Sequence, residues 1–292
     1  MAVTLGDGVR AHGARIAAQT HSVRIDLEAL EALEPGLSPE LDPQRHYLEG
    51  PEADVADYLL VLDAINFGSG WFPTLRKRTG SSGYFTVAWA LADRWRAGAG
   101  WSPAQLRTMR TEEVADTLGQ ARDHELMALY AQALRELGRF LRGRRALDVV
   151  AEARGSALRL AETLATAMTM WHDDGFYKRA QIAGSDLAAG GVAQFADLDA
   201  LTIFADNHVP HVLRCEGVLV YDERLAAHID AGRLLRAGPQ EHEIRGCAVH
   251  ACALIAQRTG MTERDIDNAL WYRGQRPEYK ARPRHRCRTV YY

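Results

Sequence analysis

What this chain has little of narrows it first. Only three of its 35 basic residues are lysine, Lys77, Lys178 and Lys280, an arginine bias that reflects codon or lineage usage rather than a mechanism. It lacks an excess of either charge, with 35 Lys+Arg against 38 Asp+Glu, a net charge of −3 and a pI near 6.4. A long nucleic-acid duplex normally meets a basic field, so global charge gives that partner no support, although a local basic stretch still suffices for one or two phosphates. The four cysteines, Cys215, Cys247, Cys252 and Cys287, form no C-x-x-C pair and no regular framework, so small buried thiols in a reducing compartment are expected. No apolar run approaches the roughly 18 residues of a membrane span. The opening Met-Ala-Val-Thr-Leu-Gly-Asp-Gly-Val-Arg lacks a basic region followed by an apolar one, and a cytoplasmic protein is the expectation. Period-two alternation is nearly absent, as are internal repeats and low-complexity linkers.

What is there is a helical pattern. The 292 residues are 47% hydrophobic and 25% charged, enough to bury a core without staples. Apolar residues recur at three- and four-residue spacing almost throughout, which predicts a mainly α protein, a single globular domain over 1–292 with residues 1–45 as an N-terminal extension packed on it. Pro51 with Glu52 and Asp54 opens a helix presenting Val55, Tyr58, Leu59, Leu62 and Ile65, which ends at the glycines near Asn66. Further helices are expected at 84–97, from Ser102-Pro103, from Thr111 with its capping hydroxyl, at 124–141 and around Leu158–Trp171. Others follow at 177–188, 208–220, 223–231, 240–258 and 262–273, the last two opened by Pro239 and by the cap Thr262. Strand is limited to a short extended piece in Cys287–Tyr292. The tail from Arg273 to Arg288 is dense in arginine.

Several stretches carry residues fit for chemistry. Asp206 ends the apolar run Leu201-Thr-Ile-Phe-Ala and precedes a helix, so its carboxylate is a helix cap, a catalytic group, or both if the cap faces a cavity. His208, His211 and Cys215 share a helix face, but as a zinc set they lack a fourth ligand at a recognised spacing. The pair His172-Asp173 is similar to the dipeptide of helical metal phosphohydrolases, with His124 and Asp206 as the candidates to complete such a set. Lys178 is either a compact mobile ammonium kept for function or a solvated surface group. Asp267 and Trp271, four apart in a helix, set a carboxylate beside an aromatic plane, suited to a flat heterocycle or simply to core and surface. Glu241 and Arg245 fit an intrahelical ion pair, and His46 and Asn66-Phe67 flank the first strong helix.

Five stretches taken together resemble the queuosine 5'-phosphate N-glycosylase family, the queuosine salvage proteins. They are Tyr58-Leu-Leu-Val-Leu-Asp-Ala-Ile-Asn-Phe67, Gly175-Phe-Tyr-Lys-Arg-Ala-Gln-Ile182, Leu201-Thr-Ile-Phe-Ala-Asp206, Glu243-Ile-Arg-Gly-Cys247 and Arg286-Cys-Arg-Thr-Val-Tyr-Tyr292. The resemblance spans roughly residues 46 to 292 and implies a hydrolase that cuts the N-glycosidic bond of queuosine 5'-monophosphate. The base queuine would be released for salvage into tRNA. It also implies a helical fold related to DNA base-excision glycosylases, although no helix-hairpin-helix Gly-Pro-Gly loop is present, which argues against duplex DNA. Breaking a ribose C1'–nitrogen bond develops positive charge on the sugar, which a carboxylate in a water-poor pocket stabilises; Asp206 is the candidate, either balancing that charge while water attacks or trapping it as a covalent adduct, with Lys178 beside it. Asp267, Trp271 and Tyr272 are the candidates for the amine and diol of queuine. Phe67 and Phe204 would sandwich the deazaguanine ring, and His46 and Asn66 would read its edges. Arg245 and the basic tail would take the 5'-phosphate. The expected partners are this nucleotide and queuine, with no cofactor, membrane or stable nucleic-acid partner, and a monomer. Two alternatives stay open: a metal-dependent nucleotide phosphohydrolase of the His-Asp type, and a protein that binds modified nucleotides without turnover.

Overall fold

A computed structural model of the chain describes residues 3–292. Helices dominate, as the periodicity requires. In chain order the first elements are α1 (Leu5–Gln19), β1 (Val23–Ile25) and α2 (Leu27–Ala32). Next come α3 (Glu52–Ala64), α4 (Gly83–Arg96), α5 (Pro103–Arg107), α6 (Thr111–Leu118), α7 (Glu125–Leu141), α8 (Ala146–Glu152) and α9 (Ala157–Ala167). The chain continues through α10 (Lys178–Ala189), α11 (Val209–Cys215), β2 (Leu219–Tyr221), α12 (Glu223–Asp230), α13 (Pro239–Thr259), α14 (Glu263–Arg273) and α15 (Pro277–Lys280). Among the described residues no helix is long and apolar enough to cross a membrane.

The chain forms two compact units. The first takes the chain up to Pro39, the stretch Asp174–Lys178 and Asp199–Thr289. Its core gathers Val209, Val212, Leu213, Ile244, Ala248, Cys252, Ile266 and Leu270 from α11, α13 and α14. α1 lies against α13 at glycines on both: a Cβ on Gly246 would stand 2.6 Å from Ile16, and one on Gly13 would stand 2.8 Å from Val249. Only hydrogen at both positions permits that approach. β1 and β2 pair antiparallel in the register Val23↔Tyr221, Arg24↔Val220 and Ile25↔Leu219. The tail adds one isolated parallel bridge between Leu235 and Cys287, so the extended piece expected at the C-terminus is a single bridge.

The second unit takes Glu40–Asp173, Arg179–Leu198 and Val290–Tyr292. α7 supplies the wide apolar stripe read from the sequence, with Leu126, Tyr130, Leu134, Leu137 and Leu141 buried. Tyr58 of α3 donates its hydroxyl to the Ala88 carbonyl of α4 at 3.1 Å.

Two expectations need correction. The helix expected over 208–220 stops at Cys215, because Gly217 turns at φ 82° and Leu219–Tyr221, which includes β-branched Val220 and aromatic Tyr221, forms β2. The hydroxyl cap expected from Thr111 is not made: Thr111 is the first helical residue, and Arg110 precedes it with no side-chain cap bond. Ser102 does cap α5, in a reciprocal box with Gln105.

Candidate functional site

The segment Phe204–His208 crosses the first unit without helix or strand, so its backbone groups must find partners elsewhere. Side chains supply them, residue by residue. Asp267 of α14, only 5% exposed, accepts the Phe204 N–H at 2.9 Å. Arg245 of α13 donates its Nε–H to the Ala205 carbonyl at 2.9 Å. Asp206 turns one carboxylate oxygen, Oδ1, onto the N–H groups of His208 at 2.6 Å and Val209 at 3.4 Å. Asn207 donates Nδ2 to the His285 carbonyl at 2.9 Å, and His208 donates Nε2–H to the Trp271 carbonyl at 3.0 Å. α13, α14 and the tail thus hold four of these five residues, and Asp206 bonds the backbone that follows it.

Asp206 is not itself the N-cap expected from the sequence: that position is His208, which makes no side-chain cap bond, and Asp206 reaches the start of α11 from two residues before it. Its other oxygen, Oδ2, receives no hydrogen bond or ion pair among the described residues, and the residue is half-buried. One oxygen is anchored and the other is open to a ligand.

Arg245 is buried beneath this segment, 1% exposed. Its guanidinium lies 4.0 Å from the Phe176 ring centroid and 3.4 Å from Glu241 Oε1. The i,i+4 pair read from the sequence is therefore made, and the charge expected on a phosphate is already matched by a buried carboxylate. Trp271 and Tyr272 are half-buried, their rings 5.2 Å apart, and Trp271 lies 5.5 Å from the His208 ring. Phe204 is buried.

Lys178 opens α10 and is 4% exposed, so it is not a solvated surface group. No ion pair joins it to Asp206. Tyr177, just before it, has φ 53°, a left-handed conformation that costs a non-glycine residue about 1 kcal/mol. Strain of this kind collects where a side chain must be aimed.

The tail contributes Arg284, which the sequence does not distinguish from its neighbours. Its Nη1 donates to Nδ1 of His208. With Nε2–H on the Trp271 carbonyl, the imidazole is neutral. Burial and then the Arg284 charge hold the His208 pKa well below the ordinary value. The amide of Gln275 also approaches Nε2, at 3.2 Å.

The other candidates lie in the second unit. His46 places Nδ1 on the Asp42 carbonyl at 2.9 Å and Nε2 on the Tyr84 hydroxyl at 3.0 Å, and burial lowers its pKa. Asn66 lies 3.5 Å from Asp63 Oδ1. Phe67, 1% exposed, has the Arg179 guanidinium 4.8 Å from its ring centroid and Tyr130 edge-on at 5.0 Å. Arg179 itself is clamped by the Ala64 and Met170 carbonyls. The Gly68 N–H, next along the loop, bonds the Tyr292 carbonyl at 2.9 Å.

Metal-binding readings lose their residues to other partners. His211 Nε2 meets the Tyr279 carbonyl at 2.8 Å, and His124 caps α7 while its Nε2 meets Thr74 at 2.9 Å. Among the described residues no three His, Cys, Asp or Glu side chains converge to hold an ion.

Comparison with known proteins places this arrangement in a lineage. The model of the family described as queuosine salvage protein matches residues 45–292. A protein of Sphaerobacter thermophilus named queuosine 5'-phosphate N-glycosylase/hydrolase is 31% identical, with 98% of each chain covered. A mouse protein of the same name is 28% identical over 87% of this chain and 85% of its own. A bovine one is 36% identical over 40% of each. A match over nearly the whole length, running through the pinned Phe204–His208 segment and the buried Lys178, means that the chain belongs to the queuosine salvage protein family.

Proposed function

We propose that this protein hydrolyses the N-glycosidic bond of queuosine 5'-phosphate, releasing queuine and ribose 5-phosphate. The observation that carries the reading is Asp206, with one oxygen fixed by two backbone N–H groups and the other unengaged. A carboxylate held in this way needs no reorganisation when positive charge develops at C1', and it stabilises the oxocarbenium-like transition state as water adds and the base departs. A 7-deazapurine has carbon where a purine has N7, so the leaving base takes up its proton at another edge. That places more of the barrier on the sugar side, where Asp206 acts.

Lys178, held by the strained turn at Tyr177, is the second catalytic group, directing its ammonium at the sugar or its phosphate. Asp267 fixes Phe204 and carries the negative charge that suits the ammonium of the base's side arm, with Trp271 and Tyr272 as its aromatic neighbours. Phe204 supplies ring surface for the heterocycle. Arg245 positions the Ala205 carbonyl, one residue before the catalytic carboxylate.

Mass spectrometry of the products, with queuosine 5'-monophosphate as substrate and with and without EDTA, tests this. Free queuine with ribose 5-phosphate, unchanged by EDTA, supports hydrolysis of the glycosidic bond. Inorganic phosphate with the base still on its ribose would assign a phosphohydrolase instead. An unchanged nucleotide would leave a binding protein.

A further inference from the structure

The arginines near the Asp206 segment sort by what neutralises them. Arg245 has Glu241 at 3.4 Å, Arg214 chelates Asp230 at 3.0 and 2.9 Å, and Arg282 reaches the same Asp230 at 3.4 Å. Arg273 has Glu216 at 3.0 Å. Arg284 differs from all four, because its partner is the lone pair of a neutral imidazole and no carboxylate pairs with it among the described residues. The hydrogen-bond donors other than Nη1–H remain uncommitted. The His208 ring cannot swing away, since its far nitrogen is bonded to the Trp271 carbonyl and a Cβ on Gly274 would already stand 2.5 Å from it.

Arg284 is half-buried, and a guanidinium partly withdrawn from water without a counter-ion recovers some of its lost hydration when an anion arrives. Burial lowers the Arg284 pKa, the Asp206 carboxylate partly offsets this, and Arg286 adds to it. Asp206 is therefore within electrostatic reach but does not neutralise Arg284 directly. A planar fork with one edge tied back and the other free has the geometry for a phosphate's oxygens.

We propose that Arg284 is the phosphomonoester hook of this active site: His208 fixes one edge of its guanidinium, and the other edge takes the 5'-phosphate of the nucleotide whose sugar Asp206 faces. The inference rests on the glycosylase reading and deepens it. Arg284 selects nucleotide over nucleoside, while Asp206 acts on either.

Arg284→Met and Arg284→Lys, with Arg282→Met as a surface control, should be assayed on queuosine 5'-monophosphate and on the unphosphorylated nucleoside. Loss of one charge-assisted contact should lower kcat/KM for the nucleotide by about 10- to 100-fold. The nucleoside value should stay constant, so that the preference collapses, and lysine should restore part of it. Calorimetry with ribose 5-phosphate and with inorganic phosphate reads the site without turnover: ribose 5-phosphate should bind the parent protein and not Arg284→Met, and inorganic phosphate should follow the same order more weakly. Equal losses on both substrates by a variant with unchanged circular dichroism would overturn the proposal and leave Arg284 as a support for His208. Binding of ribose 5-phosphate that requires Arg284, in a protein that cleaves neither substrate, would sink the glycosylase reading and keep the anion site.

Discussion

At the scale of single residues, Asp206 anchors two backbone N–H groups through one oxygen, and substitution separates that contact from the chemical role proposed for its charge. Asparagine keeps a side-chain oxygen that can accept the His208 and Val209 N–H groups, so Asp206→Asn should keep the urea midpoint. It removes the negative charge, and turnover should fall by about 10²- to 10³-fold or more, measured as queuine released. Glu241 gives the converse test. Glu241→Ala takes one buried carboxylate away from the buried Arg245 guanidinium, so the urea midpoint should fall. The Glu241–Arg245 pair was legible in the sequence, since an i,i+4 spacing is local. Arg284 was not: the tail carries seven basic residues between Arg273 and Arg288, and only folding shows which of them meets a neutral histidine instead of an acid.

Elements were legible where their cause is periodic. The stripe of α7, the Pro239 start of α13 and the Thr262 cap of α14 were each expected from spacing and capping residues, and the structure places them within a residue or so. β1 was missed because its three residues pair with β2 almost 200 positions away, and no local pattern records a distant partner. α11 was overextended because Gly217 was passed over as a stop and the following Val-Leu-Val-Tyr read as helix. The α1–α13 contact yields a prediction of definite sign. Alanine normally favours a helix over glycine by about 1 kcal/mol, yet Gly246→Ala should lower the urea midpoint. Its Cβ would meet Ile16 at 2.6 Å, and a β-branched side chain has little rotamer freedom to yield.

For the whole molecule, buried neutral histidines set the response to acid. Burial is the largest influence on each: it carries His211 down to about 4 and His285 down to about 3, and His208 and His46 are lowered as well. Above the unfolded value near 6.5, both the folded and unfolded chains hold neutral imidazole, and pH has no leverage through these groups. Between there and about pH 4 the unfolded chain binds protons that the folded protein refuses, so stability falls as pH falls. Glu263, raised by burial, opposes this as a single group. Urea midpoints measured from pH 7.5 to 4.5 should therefore decline, and His211→Gln should flatten part of the slope.

The pinned Phe204–His208 segment and the start of α11 also have a consequence in time. Their Phe204, His208 and Val209 amides are bonded to carboxylates before any ligand arrives, so their hydrogen–deuterium exchange should already be slow in the unliganded protein. Ligand should leave those rates nearly unchanged, because a segment held on every side has no motion left to lose.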